Sequence, residues 1–116
     1  MNGNGMTMRV AASTRARSLA GAIAKYMRGG GSHITLQAIG PEAVAQASKA
    51  VATAQEMLEQ SRDESKLVVR MRWVLVDAGE DSEEPVTAMQ FDVQREDESA
   101  PKTTVAVANE IPVLHV

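Results

Sequence analysis

No cysteine occurs in the 116 residues, which excludes disulfides and thiolate-held metal and suits a reducing compartment. Aromatic residues are nearly missing, with one Trp, one Tyr and one Phe, so stacking platforms for unpaired bases are scarce. No apolar run approaches the roughly 18 residues that cross a bilayer. The opening Met1-Asn2-Gly3-Asn4-Gly5 lacks the charged and apolar regions of a signal peptide, and the sequence reads as a cytoplasmic protein with no membrane partner. The two histidines, His33 and His115, are far apart, and no His-x-x-x-His or acidic metal-ligand spacing is present. Gly29-Gly30-Gly31-Ser32-His33 follows a helix pattern and lacks the Gly-Lys-Ser/Thr ending of a phosphate loop. Catalytic residues, metal ligands and cofactors are therefore expected to be none, and an enzyme is not expected.

The most informative absence is local. Residues 1–41 contain no acid but five bases, Arg9, Arg15, Arg17, Lys25 and Arg28. The remainder holds seven bases against fifteen acids, for an overall net charge of −3. Charge divided this sharply predicts a basic surface on an acidic body, able to hold a polyanion at one place and repel it elsewhere.

What is present patterns into one domain. Hydrophobic residues make up 44%, dominated by Ala, Val and seven Met, enough for a modest core. Met6, Met8, Val10 and Ala12 alternate as a half-buried strand, and residues 13–17 read as a polar loop. A helix is expected from Ser18, with Leu19, Ile23, Tyr26 and Met27 on one face and the triple glycine 29–31 ending it. Residues 33–39 form a second strand, with Ile34, Leu36 and Ala38 to one side. A second helix runs from Pro41 to about Glu59, carrying Val44, Ala47, Val51, Ala54 and Leu58 at spacings of three and four. Residues 66–76 alternate strongly, an acidic turn follows at 77–84, and residues 86–95 return as a strand with Met89, Phe91 and Val93 inward. This is β-α-β-α-β-β, economically packed as two helices on one face of a four-stranded sheet.

At the second helix, Gly40-Pro41 is a proline-first start. Its fixed φ is already helical and its missing N–H has no partner to lose, so the turn presents free amides that attract anions. The same dipeptide also serves as a plain structural corner.

Three pieces in order, Ser18-Leu19-Ala20-Gly21-Ala22-Ile23-Ala24, Leu36-Gln37-Ala38-Ile39-Gly40 and Gln46-Ala47-Ser48-Lys49-Ala50-Val51-Ala52-Thr53-Ala54, resemble the stage V sporulation protein S family. The resemblance covers roughly residues 6–95 and weakens after Gln55. It implies an α+β, Alba-like fold with a four-stranded mixed sheet, and a non-enzymatic regulator in bacterial development or gene expression that binds nucleic acid. The expected organisation is a disordered leader at 1–5, a domain at 6–95 and a tail at 96–116 that is extra to the family pattern. The tail reads as a linker followed either by an extra strand on a sheet edge of its own or a neighbouring subunit or by disordered chain.

The expected contact residues are Arg9, Ser13, Arg15, Arg17, Lys25, Arg28 and Gly40, centred on the loop between first strand and first helix. Arginine forks grip phosphate bidentately, and short hydroxyl side chains add donors. The expected partner is DNA or RNA held with weak sequence selectivity, and the expected assembly is a homodimer or higher homo-oligomer. Against a large footprint, the turn at 77–84, where Alba-like proteins carry a basic arm, is acidic. The competing reading is a self-associating interaction module without nucleic-acid binding.

Overall fold

In the computed structural model, residues 5–62, 66–77 and 84–96 are described. Their elements follow the expected order: β1 (Gly5–Val10), α1 (Ala16–Arg28), β2 (His33–Ala38), α2 (Pro41–Gln60), β3 (Leu67–Val76) and β4 (Val86–Arg95). The strands form one mixed sheet in the order β1-β2-β4-β3. β1 and β2 are parallel, while β4 is antiparallel to both its neighbours, β2 and β3.

Both helices pack on one face because each apolar stripe needs cover and the sheet offers an apolar side in register. Ile34, Leu36 and Ala38 lie opposite Val93, Phe91 and Met89 across β2 and β4. The three from β2 are fully buried, as are Ile23 and Met27 of α1 and Leu58 of α2. Between the helices the core is largely alanine: Ala20, Ala24, Ala43, Ala47, Ala50 and Ala54 are all buried. Small side chains let the two helices approach closely, at the expense of apolar area per residue.

Glycine ends α1 as its position requires. Gly30 takes φ +101° and Gly31 N–H donates to the Tyr26 carbonyl at 2.9 Å. Arg95, at the end of β4, closes the same helix end from across the sheet: its Nε donates to Gly31 O at 3.1 Å and its Nη2 to Met27 O. A cation here also answers the negative end of the helix dipole.

Several boundaries differ from expectation. β1 starts at Gly5, inside the stretch expected to be a leader, and Ala12 sits exposed in a turn instead of extending the strand. α1 begins at Ala16, two residues early, so Arg17 belongs to its first turn and not to a loop. The reason is a tight turn: Thr14 N–H donates to Ala11 O at 3.0 Å and Thr14 Oγ1 accepts from Ala11 N–H at 2.8 Å. That turn closes the loop quickly and frees Ala16 and Arg17, good helix formers, to join α1. Ile39 lies beyond β2 and is exposed. The expected leader residues 1–4, most of the acidic turn and the tail beyond Glu96 lie outside the described residues.

Candidate nucleic-acid interface

The parallel pairing of β1 with β2 places Val10 beside Ala38, so both strands end on the same side of the sheet. Residues 11–15 lead into α1 there and residues 39–40 into α2, so both helices start at one rim. Gln46 of α2 ties the two together, its Nε2 donating to Thr14 O at 2.9 Å.

Each helix start leaves its first backbone amides without an intrahelical acceptor. In α1 the first helical bond runs from Leu19 N–H to Arg15 O at 3.0 Å, and in α2 from Val44 N–H to Gly40 O at 3.0 Å. Neither Arg15 nor Gly40 supplies a side-chain cap. Gly40 adopts φ +91° and ψ 158°, a region that only glycine enters freely. A Cβ there would meet nothing within 4 Å, so the requirement is one of backbone conformation and not of space.

The first turn of α1 carries no acid, and Arg15 and Arg17 stand exposed at its positive end. Cations there oppose the dipole and weaken the helix in isolation. An anion relieves both the repulsion and the open amides. Glu42, exposed in the first turn of α2, is an opposing charge at the rim. Because the end of β2 pairs with the start of β4, Asp77 and Glu84 lie toward the same end of the sheet.

A second polar surface covers the face of the sheet away from the helices. Arg9, Gln37, Gln90 and Arg72 form one cross-strand row, and Thr7, Thr35, Asp92 and Arg70 the next. Asp92 organises their centre. Its Oδ1 accepts from Gln90 Nε2 at 3.0 Å and Thr35 Oγ1 at 3.4 Å, and its Oδ2 lies 3.5 Å from Arg72 Nε. Gln37 Nε2 adds a bond to Gln90 Oε1 at 3.1 Å. Arg70 and Arg72 thus stand on the uncovered face, as their alternation with Met71 and Trp73 suggests.

Of the seven residues singled out from sequence, Ser13, Arg15, Arg17 and Gly40 come together at the rim, all exposed. Arg9, next to last in β1, lies near the same end but points to the uncovered face. Lys25 and Arg28 do not join them. They occupy the last turn of α1, about 14 Å and about 18 Å along the axis from its first residue, where they complement its negative end. None of these five bases has a carboxylate partner among the described residues, where the one ion pair is Arg72 with Asp92. Thr14 and Gln46, which shape the rim, escaped sequence reading. Thr14 carries a weak turn signal, but Gln46 has none, because its role depends on two segments 32 residues apart meeting.

The molecule is a two-layer α+β domain with an exposed, arginine-bearing rim where both helices begin. The family described as Stage V sporulation protein S (SpoVS) matches residues 6–96, and the chain belongs to that family. A search of the curated proteins gives no match. Among solved structures, Alba from Thermoplasma volcanium is similar at 18% identity and a TM-score of 0.47, covering 77% of this chain and 99% of that one.

Proposed function

We propose that this protein is a non-enzymatic regulator that binds the phosphate backbone of DNA or RNA through the rim. The reading rests on one observation: Arg15 and Arg17 project beside two helix starts whose amides are open, held in one place by the Gln46–Thr14 bond. Ser13 adds a hydroxyl, Gly40 lets backbone approach, and Arg9 extends the surface toward the open face. Contacts of this kind position a polyanion without reading its bases. Stacking platforms are few, since Phe91 is buried and Tyr26 half-buried, which leaves Trp73 as the one exposed aromatic.

The test is retention of duplex and single-stranded oligonucleotides across a salt series. A rim of two to four phosphate contacts gives a log–log slope of about −2 to −4. Arg15→Glu with Arg17→Glu should abolish retention at low salt while leaving the oligomeric mass unchanged. Wild-type protein that shifts neither oligonucleotide at low salt would exclude this reading.

The second reading, a self-associating interaction module without nucleic-acid binding, is favoured by the exposed apolar residues of β3. It requires stable dimers and no retention of either oligonucleotide.

A further inference from the structure

The sheet has two free edges of unequal length. β1 is six residues long, whereas β3 is ten and pairs on one side only among the described residues. On the helix side β3 carries an alternating row, Val69, Met71, Trp73 and Leu75, exposed by 38%, 51%, 67% and 70%. Exposure grows along the strand because the helix layer reaches only its head, where Gln55 Oε1 of α2 accepts from Leu67 N–H at 2.7 Å, and leaves the rest uncovered. A long open edge beside an apolar row is a site for strand addition and aggregation unless something covers it.

The chain itself carries a matching segment that begins at the right place. β4 ends with Arg95 opposite Leu67, the first residue of β3. Glu96 N–H then donates to Lys66 O at 2.7 Å, so the last described residue stands at the head of β3. Residues 97–102 carry three charges and Pro101, while 103–116 include Val105, Val107, Ile111, Val113, Leu114 and Val116 with a single acid, Glu110. That composition supplies apolar side chains that can pair with the row on β3. Six residues reach at most about 20 Å. Passing from β4 to the far side of β3 requires only about 10 Å.

We infer that residues 103–116 dock on β3 of the same chain. Residues 103–108 add a fifth strand along its open edge, and residues 111–116 cover the row around Trp73. The added strand runs parallel to β3, because β4 is antiparallel to β3 and the chain departs at β3's beginning. Main-chain bonds along the edge supply affinity, and alternating Val105 and Val107 supply the apolar contacts. This inference is independent of the nucleic-acid reading and removes the observation that favours the self-associating module.

Trp73 is the only tryptophan, so its emission and its quenching by acrylamide report this face alone. The full-length chain is compared with full-length Val105→Asp/Val107→Asp/Leu114→Asp, with mass followed by sedimentation over a wide concentration range. Docking gives a blue-shifted, protected Trp73 at every concentration in the native chain. In the variant it gives a red shift and a several-fold rise in quenching, with the circular dichroism retained. A Trp73 that is freely quenched in the native chain overturns the inference whatever the variant does. So does protection that develops only as dimers form, which assigns the row to a second copy.

Discussion

Gln46 Nε2 donates to the carbonyl oxygen of Thr14 at 2.9 Å, joining the second helix to the loop that opens the first. The bond costs the rim its freedom: Thr14 is already closed onto Ala11, so Arg15 and Arg17 emerge from a fixed point.

Gln46→Ala should therefore weaken oligonucleotide retention several-fold although Gln46 carries no charge. Loss of one hydrogen bond lowers stability by about 1 kcal/mol. Retention measured beside a urea titration separates the two effects. Unchanged retention in a destabilised protein would show that the loop needs no anchor.

Arg15→Asp reverses a charge at the positive end of α1 and introduces a side-chain cap that the helix lacks. Stability should rise by about 1 kcal/mol, seen as a melting temperature higher by several degrees, while retention falls at least tenfold. A variant both less stable and weaker in binding would contradict the electrostatic description of the rim.

Glu42→Gln removes an opposing charge from the rim. Affinity should increase a few-fold at low salt, and that gain should fade as ionic strength rises. Helix α2 should lose about 0.5 kcal/mol, because an acid in a first turn complements the dipole. Chemical denaturation and a salt series on the same preparation test both signs.

Two glycines predict opposite outcomes for the same replacement. Gly40→Ala forces a side chain into φ +91° and should cost about 1–3 kcal/mol. Gly21→Ala, inside α1 with nothing within 4 Å of the new Cβ, should gain about 0.5–1 kcal/mol. Melting temperatures of the pair, measured under one condition, suffice.

Arg95→Met leaves the carbonyls of Met27 and Gly31 without their charged donor. A loss of about 1.5–3 kcal/mol is expected, with retention unaffected once folding is ensured, since this end of α1 is the one farther from the rim. Reduced retention by a fully folded variant would place that end in the binding surface.

Much of the fold was legible because local chemistry carries it. Alternation marked β3 and β4, spacing of three and four marked both helix faces, and Gly30 and Gly40 stand where backbone φ is positive. The start of α1 was misplaced because Arg15 is a poor cap signal and the turn at Thr14 depends on one hydroxyl. Trp73 shows the limit most clearly. Its alternating pattern marks a strand but not its burial, and two thirds of it is exposed, because burial depends on how far a neighbouring layer extends.

By itself, the sequence determined the six elements, the family and the confinement of every acid to residues beyond 41, since periodicity, turn chemistry and composition are properties of the chain. Only the tertiary structure decided which of the early bases are neighbours. Parallel pairing of β1 and β2 carries Arg15, Arg17 and Gly40 to one rim, and the rigid rise of α1 carries Lys25 and Arg28 to its far end. Proximity along the chain gives way to strand direction and helix length, the two quantities that set where a side chain finally stands.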